Sequence, residues 1–117
     1  TTLFRSDVQY VSIPSNGRWY DHIGIKKDRR EAVYKKIHST VVDNGGKIYD
    51  LTNKDYEKYV ISDAVHIGWK GWVYVDQQIA RHMDGHAPKN HEVDYSKNKP
   101  PHKHHNDRQD DQHQGNK

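Results

Sequence analysis

The sequence has no cysteine, and it contains one phenylalanine and one methionine among its 117 residues. Without cysteine, neither a disulfide framework nor thiol chemistry is available to the chain. It shows no initiator methionine, no signal peptide and no apolar run long enough to span a membrane. We therefore expect a piece of a larger protein, holding one small domain at most.

Positive charge is distributed unevenly along the chain. Residues 1–83 hold 13 Lys/Arg against 10 Asp/Glu, whereas residues 84–117 hold six of each, so the net charge of +3 lies in the first part. Much of the excess is in Lys26-Lys27-Asp28-Arg29-Arg30 and Lys35-Lys36. Two interpretations stay open: a surface that attracts a polyanion, such as nucleic acid or a polymer with a phosphate backbone, and the ordinary solvated face of a helix.

The composition changes after Met83, beyond which there is no Leu, Ile, Phe or Trp, while six of the ten histidines follow it. Such a segment buries too little apolar surface to offset the entropy of ordering, so we expect residues 84–117 to be a disordered, His-rich polar tail. The cluster His102-x-His104-His105 can bind a transition metal, but a disordered chain lacks the fixed second shell of a dedicated site. We predict adventitious binding at most, with no resident metal and no cofactor.

Apolar spacing divides residues 8–51 into a strand, a helix and a second strand. Residues 8–13 are β-branched and aromatic and are stopped by Pro14, and residues 47–51 have the same character. Between them, Val33, Ile37 and Val41 recur every four residues within a predicted helix over residues 26–42, which Asn44-Gly45-Gly46 ends. This β–α–β order predicts an α/β fold with two parallel strands joined by a right-handed crossover, and places the loop 14–24 at the carboxyl end of the first strand.

The second half of the folded part is predicted to be helical at two places. A short helix within residues 52–59, capped by Thr52 or Asn53, precedes a longer one over about residues 70–83. The longer helix has its apolar residues on one stripe, which comprises Trp72, Val75, Ile79 and Met83.

The segment from Ser62 to Trp72 (S-D-A-V-H-I-G-W-K-G-W) places an aspartate three residues before a histidine. In a turn, the Asp63 carboxylate can hold one nitrogen of the His66 ring as N–H and leave the other free as a general base. The plainer interpretation gives Asp63 a turn or capping role and His66 a half-buried loop position. An Asp-x-x-His pair alone does not decide between them.

Two blocks together resemble a known family. Residues 63–72 are similar to the Asp-x-x-His block near the C-terminus of the DltD family of D-alanyl-lipoteichoic acid biosynthesis proteins, and residues 14–24 (P-S-N-G-R-W-Y-D-H-I-G) resemble that family's P-x-N-G-x-W-Y-D-x-x-G. The resemblance covers roughly residues 8–83. It implies that residues 1–83 are the C-terminal part of a three-layer α/β/α, SGNH-hydrolase-like domain with a mainly parallel sheet.

The resemblance also implies a chemistry. Asp63 and His66 would be the orienting acid and the general base of a serine acyltransferase or thioesterase that helps to move D-alanyl esters onto teichoic or lipoteichoic acid. The expected partners are that acceptor, a D-alanyl donor protein and the upstream part of the protein's own chain, at the extracytoplasmic face of a Gram-positive cell membrane. Nucleic acid is not expected.

No residue of this chain is a convincing nucleophile, because Ser12, Ser15, Ser39 and Ser62 lack the glycine-flanked strand–turn–helix context that exposes one. The chain alone is therefore expected to be inactive. The alternative is a non-catalytic module that binds an anionic polymer or a partner protein through its basic helix and aromatic loop.

Four further residues are candidates for substrate binding. Asn16, Trp19 and Tyr20 would shape an acceptor pocket on the first loop, or else the two aromatic rings fill the core. Lys70 would contact a phosphate, or else it is a solvent-facing charge at a helix start. Trp69 and Trp72 are interpreted as packing residues, and Gly68 and Gly71 as sites of a tight turn and close backbone approach.

Overall fold

The computed structural model describes residues 7–102 of the chain. Its elements are strand β1 (Gln9–Ser12), helix α1 (Gly17–His22), helix α2 (Lys27–Asp43), strand β2 (Lys47–Asp50), a 3-10 helix (Thr52–Lys54) and helix α3 (Trp69–Met83). The predicted strands and both long helices are confirmed to within two residues at each end.

The two strands form a parallel ladder, with Gln9 opposite Lys47 and Ser12 opposite Asp50. Parallel pairing requires a crossover, and α1 with α2 supplies it. The chain therefore has a mixed α/β architecture around a small parallel sheet. Within residues 7–102 no strand pairs with the second edge of β1.

The first loop contains a helix that the sequence analysis did not predict. Residues 14–24 were expected to be loop, but Gly17–His22 form α1, because the Asn16 side chain accepts a hydrogen bond from the Trp19 amide at 3.2 Å and caps the first turn. The predicted cap of the 3-10 helix is wrong as well. Thr52 lies inside that helix and its hydroxyl donates to Asp50 instead.

The core is small and is centred on β2 and the chain that follows it. Its largest fully buried side chains are those of Ile48, Leu51, Val60, Thr52 and Pro14. Helix α2 contributes Tyr34, which is 6% exposed and whose hydroxyl accepts from the Ser15 amide at 2.9 Å.

The predicted apolar stripes of α2 and α3 are mostly not buried within residues 7–102. Val33 is 58% and Met83 81% exposed, and on the α3 stripe only Val75 is buried. The buried residues of α2 are Arg30 and Tyr34, and His38 on the same side of the helix contacts Asp50 of β2. Val33 and Ile37 lie away from that side and are exposed.

Residues 84–117 were expected to form a disordered tail, and the structure describes residues 84–102 of it. This segment has neither helix nor strand, yet Tyr95 is 7% and Asn98 6% exposed. The segment has few apolar side chains, and hydrogen bonds attach it to the body through Asn90, Tyr95 and Asn98. The rest of the predicted tail, including His104 and His105, lies outside the described residues.

None of the helices described between residues 7 and 102 has the length and apolar character needed to cross a membrane.

Candidate functional site

A short hairpin carries the Asp-x-x-His pair. Ile61 and Ile67 form an antiparallel bridge, and the Ser62 amide donates to the His66 carbonyl at 2.8 Å. Below this bridge, the Gly68 amide donates to the Val60 carbonyl at 2.7 Å. Residues 62–66 thus form a tight loop on a fixed base.

Asp63 organises that loop through both of its carboxylate oxygens. Oδ1 accepts from the backbone amides of His66 and Val65 at 2.8 and 2.9 Å, and Oδ2 lies 2.6 Å from Nδ1 of His66. The predicted Asp63–His66 hydrogen bond is therefore present. The turn role of the plainer interpretation is present too, but His66 is not half-buried, since its side chain is 77% exposed.

This arrangement favours one tautomer of the His66 imidazole. A carboxylate beside Nδ1 favours the tautomer with a proton on that nitrogen. Nε2 of His66 then has a free lone pair and makes no hydrogen bond to any residue in the 7–102 range. The pair has the geometry of a base with its orienting acid.

The Asp63 carboxyl gives a pH prediction. The backbone amides of His66 and Val65, followed by the His66 ring, lower its pKa from 3.8 to about 2. Because the folded value lies below the ordinary one, the stabilisation of the loop is complete above about pH 4 and is lost as the pH falls through about 2. Carbon-13 NMR of the carboxyl should show a midpoint near 2, and His66→Ala should move it little because the amides contribute more. A midpoint at the ordinary value in the unmodified protein would contradict this account.

Residues 14–24, the block with the W-Y-D motif, lie against the loop. The Asn16 amide donates to the Ala64 carbonyl at 3.0 Å, and Asn16 and Trp19 line a depression of about 500 Å³ together with residues 62–66. Asn16 is the fourth residue after the end of β1 at Ser12, so one hydrogen bond joins the segment that leaves this strand to the loop. Two of the four candidate binding residues are thus brought to the Asp63–His66 pair.

The other two candidates lie elsewhere. Tyr20 is half-buried and does not line the depression. Lys70 Nζ lies 2.5 Å from Oε1 of Glu57, which also accepts from the Tyr74 hydroxyl at 2.7 Å. Burial tends to raise the pKa of Glu57, but the donors Lys70, Tyr74 and Lys54 outweigh it and hold that pKa at about 2. In this chain Lys70 therefore belongs to an ion-pair cluster and not to the depression.

The glycines of the G-W-K-G-W block permit close backbone approach, as predicted. A Cβ on Gly68 would lie 2.3 Å from the Tyr59 carbonyl oxygen, and one on Gly71 would lie 2.5 Å from that of Val60. Trp69 and Trp72, interpreted from sequence as packing residues, are 63% and 54% exposed. Trp69 contacts Tyr59 with ring centroids 5.6 Å apart.

A buried polar cluster centred on Arg30 holds residues 14–24 in place. The sequence analysis did not predict this cluster. Arg30 is 4% exposed; it donates to Asp21 at 2.7 Å, to Asp55 at 3.2 Å and to the Tyr56 hydroxyl at 2.9 Å. From sequence, Arg30 belonged to the basic run at the start of α2. The signal was available in Asp21, a carboxylate inside the W-Y-D motif that needs a partner.

A second Asp–His pair is built differently. His38 Nδ1 lies 2.7 Å from Oδ2 of Asp50, and the two side chains are 14% and 3% exposed. Oδ1 of Asp50 accepts from the amide and hydroxyl of Thr52. Because it is enclosed, this pair is a structural counterpart to the exposed one and provides a control for it.

The serine of the loop does not contact the His66 ring, and the described residues include no cluster of metal ligands. Among residues 7–102 no three His, Cys, Asp or Glu side chains are grouped to hold a metal ion. The Ser62 hydroxyl donates to the His66 carbonyl at 3.1 Å and makes no bond to the ring.

The fold and the site together define the class of protein: it is an α/β segment that carries an exposed carboxylate–imidazole pair on a loop next to Asn16 and Trp19. A sequence profile of the DltD protein family matches residues 4–84, more than half of the chain. The chain belongs to the DltD family.

Individual relatives agree with this assignment. The chain is 80% identical over 93 residues to Protein DltD of Staphylococcus aureus, covering 80% of this chain and 23% of that protein. It is 42% identical over 74 residues to Protein DltD of Bacillus subtilis, covering 63% of this chain and 19% of that protein. The corresponding protein of Lacticaseibacillus rhamnosus is 27% identical over 74 residues, covering 62% of this chain and 18% of that protein. The chain thus spans about a fifth of the length of these relatives.

Proposed function

We propose that this chain is the C-terminal segment of a DltD protein that acts in the D-alanylation of lipoteichoic or teichoic acid, and that it supplies the Asp–His half of a serine-type acyl-transfer site. The observation that carries the proposal is the 2.6 Å contact between Asp63 Oδ2 and His66 Nδ1 in a loop that also borders Asn16 and Trp19. Family membership supports the pathway.

The chemistry follows from the geometry of the pair. A serine hydroxyl from the remainder of the protein would place its proton on Nε2 of His66 as its oxygen forms a bond to the acyl carbon. Asp63 would stabilise the resulting imidazolium, and His66 would return the proton to the departing group. An acceptor hydroxyl would then repeat the exchange, giving the acylated acceptor and the free serine.

The exposed apolar surface supports a larger domain around this segment. The second edge of β1 has no strand beside it among residues 7–102, and β1 itself exposes Tyr10 and Val11. Val33, Trp72 and Met83 are also more than half exposed. In the proposed three-layer, SGNH-hydrolase-like domain with a mainly parallel sheet, the rest of the protein covers these surfaces.

The same proposal extends to partners and location. The acceptor would be teichoic or lipoteichoic acid, the donor a D-alanyl carrier protein of the pathway, and the site the extracytoplasmic face of the cell membrane. These assignments rest on family membership.

A serine-directed fluorophosphonate probe tests the proposal in a full-length DltD protein carrying this segment. We expect the probe to label one serine outside residues 7–102, and we expect labelling to be lost in His66→Ala, since the base that activates the hydroxyl is gone. His38→Ala, which opens the enclosed Asp–His pair, is the matched control and should still label. Equal labelling of the His66→Ala variant and the unmodified protein would refute the catalytic role.

One observation favours the alternative of a binding module. Lys26, the residue just before α2, and Arg29, Lys35 and Lys36 within it are all exposed. Such a surface attracts polyanions in a salt-dependent manner. If this is the function, replacing these four residues with glutamine abolishes binding of a poly(glycerol phosphate) polymer, while His66→Ala leaves it intact.

A further inference from the structure

Residues 86–99 run over the body of the protein and contact it at several places, three of which involve Asn90, Tyr95 and Asn98. The first is the free edge of β2. Asn90 Oδ1 accepts from the Ile48 amide at 3.0 Å, and its Nδ2 donates to the Gly46 carbonyl at 2.7 Å. The side-chain amide therefore pairs with the strand as another strand's backbone would.

The second attachment is Tyr95. Its hydroxyl lies 2.5 Å from the Thr52 hydroxyl, and its ring stacks on Tyr34 with centroids 6.4 Å apart. Thr52 in turn donates to Asp50. Tyr95 thus joins the segment to α2 and to the chain just after β2.

The third attachment reaches the residues around the Asp63–His66 loop. Asn98 Nδ2 donates to Oδ1 of Asp55 at 2.5 Å, while Arg30 Nε donates to Oδ2 of the same carboxylate at 3.2 Å. The Asp55 carbonyl accepts from the Gly17 amide at 2.7 Å. The neighbouring amide, of Asn16, donates to Ala64 inside the loop.

We infer that Asn98 is a positioning residue for the proposed catalytic loop: it fixes Asp55, and Asp55 fixes the Asn16–Gly17 backbone on which the loop carrying Asp63 and His66 rests. The activity part of this inference rests on the proposed function, whereas the positioning part does not.

The burial of Asp55 is the physical reason. Its side chain is 0% exposed, so each carboxylate oxygen depends on a protein donor. Burial raises the pKa of Asp55, and Asn98 and Arg30 oppose that rise. Without Asn98, Oδ1 loses the donor that the structure gives it, and the backbone of Asp55 must shift or admit water to satisfy that oxygen. The hydrogen bond from the Gly17 amide to the Asp55 carbonyl then shifts with that backbone.

Asn90 is the matched comparison. It is also an asparagine of the same segment and also anchors it, but its partners Gly46 and Ile48 are at β2. Loss of Asn90 should therefore loosen the edge of β2 and leave the amides of Asn16 and Gly17 protected from hydrogen exchange.

Amide hydrogen exchange in a full-length DltD protein carrying this segment tests the inference. Asn98→Ala should accelerate exchange at Asn16 and Gly17 about tenfold and leave Ile48 unchanged, since one buried hydrogen bond is lost. Asn90→Ala should accelerate Ile48 and leave Asn16 and Gly17 unchanged. Asn98→Ser, whose side chain is too short to reach Asp55, provides a second variant with the same expected result as Asn98→Ala.

Two outcomes would overturn the inference: unchanged protection of Asn16 and Gly17 in both Asn98 variants, or the same acceleration at all three amides in Asn98→Ala and Asn90→Ala. Fluorophosphonate labelling then tests the link to activity, and should be slower in Asn98→Ala than in Asn90→Ala. If the unmodified protein does not label, the proposed function fails while the exchange result still decides the positioning role.

Discussion

Replacing Asp63 with asparagine in a full-length DltD protein is expected to lower the rate of acyl transfer about 10⁴-fold without unfolding the loop. An asparagine side chain can still accept from the Val65 and His66 amides through its carbonyl oxygen. Its NH₂ group would then face Nδ1 of His66, where the carboxylate now lies at 2.6 Å. A donor at that position favours the tautomer with the proton on Nε2, so the nitrogen needed as a base would carry a hydrogen instead.

The measurement is the steady-state rate with a D-alanyl ester or thioester, together with the temperature of unfolding. Asp50→Asn is the control, because it alters the enclosed Asp–His pair and leaves Asp63 intact. That variant should lose stability, since Asp50 also accepts from Thr52, and should keep most of its rate per folded molecule. Full activity of Asp63→Asn would show that this carboxylate does not orient the base.

Replacing Gly68 with alanine is expected to destabilise the protein by about 3 kcal/mol, at the upper end of overpacking costs. The added methyl would lie 2.3 Å from the Tyr59 carbonyl oxygen and 3.0 Å from its carbonyl carbon. Both are backbone atoms, so no side chain can rotate away. Tyr59 already has φ of 69°, a conformation costly for a residue with a Cβ, which leaves little freedom to move.

The change also acts on the site. Gly68 donates to Val60 directly below the Ile61–Ile67 bridge, so the shift that admits a methyl opens the base of the Asp63–His66 hairpin. Gly45→Ala separates this steric effect from the cost of a left-handed backbone, because Gly45 has φ of 76° and no atom within 4 Å of its Cβ position. It should cost only about 1–2 kcal/mol. Urea unfolding compares the two, and an equal cost would contradict the steric argument.

The sequence determined the local elements and one local contact. Regular apolar spacing predicted β1, α2, β2 and α3 at nearly their observed bounds, because hydrophobic periodicity reflects local backbone geometry. The Asp63–His66 hydrogen bond was predictable for the same reason. A spacing of three residues in a turn leaves two short side chains within reach of each other, whatever the rest of the fold does.

Which faces are buried was decided only by the tertiary structure. A period of about four marks Val33 and Ile37 as one face of α2, but the residues of that helix that are buried are Arg30 and Tyr34. The spacing of apolar residues alone does not show which elements will pack against a helix face. Within residues 7–102 the sheet has just two strands.

The surroundings of the pair were likewise a matter of tertiary structure. Asn16 reaches Ala64 across 48 positions of sequence, and Asn98 reaches Asp55 across 43. No spacing rule relates residues so far apart. Composition predicted disorder after Met83 because it measures apolar surface. It does not record a long-range hydrogen bond such as the one from Asn98 to the buried Asp55 carboxylate.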